Sequence, residues 1–191
     1  MGAGMADPMD RDLIEAARNG DREAYVDLIR VRSDRLFAIA QRILRDIDRA
    51  EDALQDALVI AWRDLRGLRD PDRFDAWMQR LLVHVCIAQA TRERRRTAEL
   101  HVLPMDGPAG PDELLTVADR DQLDRGFRRL TPDERAILVL HHFVGYPPSE
   151  IAELLGVPPG TIRSRLHHAH RAMRAALDAE ARMSIVGGRS A

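Results

Sequence analysis

The sequence lacks most of what builds a secreted, metal-stapled or membrane-spanning domain. Its 191 residues include one cysteine, Cys86, so no disulfide can close within the chain and no cysteine-rich zinc site can form. Cys86 lies in the apolar run Leu81–Ala88 and reads as a small buried side chain. That run is too short and too interrupted to cross a bilayer, and no membrane insertion is expected. Residues 1–11 carry two acids and no apolar core, unlike a signal peptide, so the expected location is cytoplasmic. Lysine is absent, and all 29 Lys/Arg positions are arginine. A GC-rich genome or selection for phosphate contacts would each give this, and the even spread of arginines along the chain favours the first. No phosphate loop, nucleophile elbow or dinucleotide fingerprint occurs, so no catalytic residue is assigned and no cofactor is expected.

What is present fits one domain or two small ones, with 45% hydrophobic and 31% charged residues. The formal net charge of −2 gives no global pull towards nucleic acid, but the charges are unevenly placed. Between Val157 and Met173 stand Arg163, Arg165, Arg171 and three histidines without a single acid. A second basic cluster is Arg92, Arg94, Arg95 and Arg96, interrupted only by Glu93. Acids gather at Asp46, Asp48, Glu51, Asp52 and Asp56. Separate basic and acidic faces suit a protein that touches both DNA and another protein.

Apolar residues recur at helical spacing almost throughout, and no alternating strand pattern is found, so the fold class is all-α. One stripe is Leu54, Leu58, Ala61, Trp62 and Leu65, with Trp62 read as a core residue; another is Ala76, Trp77, Leu81, Val85 and Ala88. The polar break Gly67–Arg73 separates them. Pro104, Gly107, Pro108, Gly110 and Pro111 cannot sustain a helix and mark a flexible Pro/Gly linker. The expected organisation is a disordered N-terminus over 1–11, a helical bundle over 12–96, a linker over 97–118, a second helical domain over 119–177 and a tail over 178–191.

The second domain carries the clearest local grammar. Thr131-Pro132-Asp133-Glu134 predicts a helix start, with Thr131 as N-cap, Pro132 at the first helical position and Glu134 closing a capping box. The helix it opens carries Ile137, Leu138 and Leu140. Pro148 to Ile162 then reads as a helix-turn-helix. Ile151 and Leu155 point inward, Gly156 supplies a left-handed turn, and Pro159 restarts a helix. In that second helix Ile162, Leu166, Ala169, Met173 and Ala176 face the core. Arg163, Ser164, His167, His168, Arg171 and Arg174 face outward, with Thr161 in the first turn, as suits a helix entering a major groove.

The stretch from Thr131 through Leu166, with Gly160-Thr161-Ile162-Arg163-Ser164-Arg165, resembles the C-terminal domain of extracytoplasmic-function (ECF) sigma factors. Independently, Ala50–Leu58 followed by Ala61-Trp62 resembles the helix by which that family holds RNA polymerase. Phe74-Asp75-Ala76-Trp77-Met78 with the arginines after it resembles the family's helix facing the −10 element. The resemblance spans about Asp12 to Leu177 in the family's order. It implies that the bundle is region 2 and the second domain region 4, with core RNA polymerase (the clamp of its largest subunit) and promoter DNA as partners. Proteins of this kind are commonly held by an anti-sigma factor, and such a partner is expected. Carried over residue by residue, Asp52, Gln55 and Asp56 would contact polymerase, supported by Leu54, Leu58 and Trp62. Thr161, Arg163, Ser164, Arg165, His167, His168 and Arg171 would meet the −35 duplex. The loop with Arg69, Asp70, Asp72 and Arg73 would capture a flipped base of the −10 element, and His84, Arg92, Arg95 and Arg96 would lie along that strand. The chain departs from the family pattern at His84 (usually Asn), Ala88 (often Asp), and His168 and His170 (often Arg), so promoter sequence is not transferred.

Three other readings compete, the first of them an enzyme. His141-His142 and His167-His168-His170 invite a metal site, with His167 and His170 on one helix face, but no cysteine or well-spaced acid completes it, and no metal is assigned. A free-standing dimeric helix-turn-helix regulator would bind duplex DNA unaided, but its N-terminal half should alternate strands and helices. An inhibitory or scaffold protein built on a degenerate sigma fold stays open, given His84 and Ala88.

Overall fold

The computed structural model describes residues 8–99, 126, 127 and 129–187. Among them there is no strand, and the chain divides into two compact units, Met1–Leu103 and Pro104–Ala191. Each is built from helices whose ends are set by short-range chemistry.

In the first unit α1 (Pro8–Arg18) packs on α2 (Arg22–Arg30). Helices α3 (Ser33–Leu44), α4 (Ile47–Asp64) and α5 (Phe74–Glu99) pack pairwise on one another. Asp21 caps α2 by accepting from the Glu23 and Ala24 N–H groups, and Asp46 caps α4 by accepting from Arg49. Between α3 and α4 the chain turns at Arg45, a buried arginine with φ of 60°, where a left-handed residue ends the helix. Two short 3₁₀ turns, Leu65–Gly67 and Pro71–Arg73, lead from α4 into α5.

The core uses different faces from those the apolar periodicity suggests. Along α4 the fully buried residues are Ala50, Ala53, Ala57 and Ala61, while Leu54, Leu58 and Trp62 are half-buried. Small side chains let α3 and α5 approach α4 closely, which displaces the leucines to the flank. Trp62 is thus no core residue; its ring packs against Tyr25 at 5.0 Å between centroids. Along α5 the buried line is Phe74, Met78, Leu82, Cys86 and Ala90. The expected stripe of Ala76, Trp77, Leu81, Val85 and Ala88 is half-buried or exposed. This helix is apolar on two sides, so periodicity alone could not say which side the bundle covers.

In the second unit α6 (Pro132–Leu138) runs into a π-helical turn, Val139–Val144, followed by α7 (Pro148–Leu155) and α8 (Pro159–Gly187). The Thr131–Glu134 capping box is formed in both directions. Gly156 adopts φ of 67°, and Pro159 opens α8. Ile137, Leu140, Ile151, Ile162 and Ala169 are fully buried, with Leu138 and Leu166 nearly so. From α7 it is Leu154 that joins Ile151 in the core, Leu155 being half-buried. Met173 is half-buried, and the side chain of Ala176 lies outside the described residues.

Helix extents also differ from expectation at three places. Residues 8–11 are the first turn of α1, residues 97–99 continue α5, and residues 178–187 continue α8. The linker proper, 100–118, lies outside the described residues.

Candidate nucleic-acid and polymerase interfaces

Three surfaces carry the residues singled out from the sequence. The first is the outer side of α8. Arg163, Ser164, His167, His168 and Arg171 are exposed there, and Thr161 and Arg165 are half-buried. The buried line Ile162–Leu166–Ala169 fixes which side faces out. Local bonds already engage part of this face: the Ser164 hydroxyl donates to the Thr161 carbonyl at 3.0 Å, and Arg165 stands 3.8 Å from Asp133 on α6. Arg163 and Arg171 remain as solvent-facing cations suited to phosphate.

The histidines divide. His167 and His168 pack edge to face, whereas His170 turns to His142, with 2.8 Å between the two Nε2 atoms. His167 and His170 therefore do not form a shared site, and among the described residues no group of three or more metal-ligating side chains converges.

The second surface is on the first unit, at the loop between α4 and α5. Leu68 and Phe74 are buried at its two ends, and Arg69, Asp70 and Arg73 are exposed at its tip. Asp70 caps the turn by accepting from the Asp72 N–H at 3.0 Å and lies 3.7 Å from Arg73. Asp72 is half-buried and bonded to Arg11 of α1 at 2.6 Å. Along α5, His84 is exposed and its Nδ1 donates to the Arg80 carbonyl at 2.7 Å, which leaves Nε2 outward. Further on, Ala88, Thr91, Arg92, Arg95 and Arg96 line a shallow open groove of about 500 Å³. Three arginines along one groove can follow a sugar-phosphate backbone.

The third surface is the exposed side of α4. Asp48, Glu51, Asp52, Gln55 and Asp56 lie on it, and Asp56 accepts from the Gln89 side chain of α5 at 3.3 Å. Val59 continues the same face and is 69% exposed. Sequence reading overlooked Val59, although an apolar residue off the apolar stripe of its own helix, on the side of Asp52 and Asp56, is the signal that could have found it. It overlooked Asp10, Arg11 and Arg32 as well, whose partners lie far away in the chain.

Against known proteins, residues 28–96 match the family model for Sigma-70 region 2, and residues 120–173 match that for Sigma-70 region 4. The chain is 32% identical over 168 residues to the ECF RNA polymerase sigma factor SigM of Mycobacterium tuberculosis, covering 84% of this chain and 80% of that protein. It is 23% identical over 173 residues to the sigma factor SigW of Bacillus subtilis, covering 84% and 92%. A solved structure of CnrH with the cytosolic domain of CnrY superposes with a TM-score of 0.62 at 27% identity, over 90% of this chain and 98% of that one. RpoE of Bartonella quintana, solved with the anti-sigma factor NepR, shares the fold with a TM-score of 0.67 at 22% identity, over 83% and 98%.

Proposed function

The chain belongs to the ECF sigma factors of bacterial RNA polymerase, and from that premise we propose how its surfaces divide the work. A factor of this family directs core polymerase to promoters and assists DNA opening; it is a transcription initiation factor. On this reading Asp52, Gln55 and Asp56 of α4, with Val59 beside them, dock on the clamp of the largest polymerase subunit. The outer side of α8 reads the −35 element as duplex, with Arg163 and Arg171 on phosphates and Thr161 at the groove-facing first turn. The loop tip Arg69, Asp70 and Arg73 takes the −10 base, with Asp72 beneath it, and His84, Arg92, Arg95 and Arg96 hold the strand.

The observation that carries this division is the pairing, in one chain, of an acid face on α4 with a helix-turn-helix whose exposed side is basic. DNA is repelled by the first surface and attracted by the second, so the acid face suits a protein partner. Such a factor works where core polymerase is, in the cytoplasm, and needs no active site of its own. Among the described residues no helix is long and apolar enough to cross a membrane. An anti-sigma partner is part of the proposal, since RpoE was solved with the anti-sigma factor NepR and CnrH was solved with a second chain, CnrY.

The test is binding of the purified protein to core polymerase, followed by run-off transcription on a genomic fragment library. Tight binding and new start sites, both weakened by Gln55→Ala and Asp56→Ala, are expected. Sequence-specific duplex binding by the protein alone, without polymerase binding, would instead make it a dimeric regulator.

A further inference from the structure

We propose that Asp10, Arg11 and Arg32 form a clamp that sets the position of the 69–73 loop, and that Asp72 positions this loop rather than reading a base. The inference rests on the reading of that loop as the −10 surface. Two consecutive residues in the first turn of α1 grip the chain on both sides of Phe74. Arg11 Nη2 reaches Asp72 Oδ2 at 2.6 Å, on the loop side. Asp10 Oδ2 accepts from Arg32 Nη2 at 2.7 Å, and Arg32 Nε reaches Asp75 Oδ1 at 2.5 Å, on the helix side. Arg32 is itself fixed. Its Nη1 donates to the Leu28 carbonyl at 2.9 Å, its guanidinium carbon lies 5.4 Å from the Phe74 ring centroid, and its side chain is 14% exposed.

The carboxylate of Asp72 has little left to offer DNA. Oδ2 is bonded to Arg11, and Oδ1 is buried without a hydrogen-bond partner among the described residues. A base could reach this group only by displacing Arg11 or by lifting the loop. Arg69, Asp70 and Arg73 form the exposed tip, where Asp70 bonds within the loop to the Asp72 N–H and pairs with Arg73. A pocket for an extruded base works only if it is formed before the base arrives, because the base must recover its lost stacking at once. Tying the loop to α1 supplies that rigidity across 61 residues of sequence.

The experiment uses holoenzyme assembled with core polymerase on a promoter found by run-off mapping. Permanganate reactivity of unpaired −10 thymines and the activity ratio between the parent promoter and −10-substituted variants are read for Arg11→Ala, Arg11→Lys, Asp72→Asn and Arg73→Ala. Core-binding Kd and Tm are measured beside them. Arg11→Ala is expected to lower opening and −10 discrimination roughly 2- to 5-fold, the scale of one partly exposed ion pair, with Kd unchanged and Tm lowered by no more than the loss of that pair. Arg11→Lys recovers part of both, and Asp72→Asn follows Arg11→Ala. The clamp is overturned if Arg11→Ala matches the parent while Arg73→Ala is impaired. It is equally overturned if Asp72→Asn changes which base is preferred and Arg11→Ala does not. If Arg73→Ala leaves −10 discrimination intact, the loop reading itself fails.

Discussion

His142 and His170 share a hydrogen bond, with 2.8 Å between their Nε2 atoms, that ties the π-helical turn after α6 to the middle of α8. Only one of the two rings can donate, so the bond requires at least one neutral acceptor. Burial, and then the neighbouring His141 and His170, hold the His142 pKa below its ordinary 6.5. The unfolded chain takes up this proton near pH 6.5, the folded one only at lower pH. The stabilising contribution is therefore complete above that value and is lost as pH falls through the folded pKa. Thermal unfolding should show a lower Tm for the second unit near pH 5.5 than near pH 7.5, and His142→Gln should flatten that slope. An unchanged slope in the variant would sink the idea.

The alanine face of α4 sets a second expectation. Ala57 is fully buried, and its short side chain keeps α4 close to its neighbours in the bundle. Ala57→Leu must push those helices apart and should destabilise the first unit by about 1–3 kcal/mol in urea unfolding. Val59→Ala, two residues on but 69% exposed, should change stability by no more than about 0.5 kcal/mol. If the two variants unfold alike, the assignment of faces is wrong.

What the sequence disclosed follows from the range of the interactions involved. The capping box at Thr131, the turn at Gly156 and the helix start at Pro159 depend on neighbours within four residues, and all are legible. The recognition helix was legible too, because it is apolar on one side and basic on the other. Helix α5 was not. Phe74, Met78, Leu82 and Cys86 compete with Trp77, Leu81 and Val85 for the role of core face, and only the position of α3 and α4 decides. The three exposed surfaces could be named from resemblance, but what holds them could not. Arg32 reaches 22 residues back to Asp10 and 43 forward to Asp75, and no local pattern announces such a hub.

The capping box permits a clean measurement of a local effect. Thr131 Oγ1 accepts from the Glu134 N–H at 3.3 Å, while Glu134 Oε2 accepts from the Thr131 N–H at 2.8 Å. Thr131→Ala removes the first bond and the hydroxyl's donation to Glu134 Oε2 at 2.8 Å, and should lower the stability of the second unit by about 1 kcal/mol; Thr131→Ser should be near neutral. Because α6 packs on α8, the alanine variant should also weaken −35 binding in proportion to the fraction unfolded and no further. Chemical denaturation beside duplex binding separates these quantities.

The basic side of α8 yields the most direct test of how DNA is held. Arg163 is exposed, whereas Arg165 is half-buried and stands 3.8 Å from Asp133. If Arg163 neutralises one phosphate, holoenzyme carrying Arg163→Ala should bind every −35 sequence more weakly by a similar factor. The slope of log affinity against log salt should then fall by about 0.9. Arg165→Ala should cost less, since its charge is already partly answered by Asp133. Asp133→Asn should do the opposite and raise affinity, by freeing Arg165 and removing a nearby acid. A result in which Arg163→Ala keeps the parent's salt slope but loses discrimination at one base pair would move Arg163 from the backbone to a base edge. In that case Arg171, exposed two turns further along the helix, would be the residue to examine for the phosphate contact.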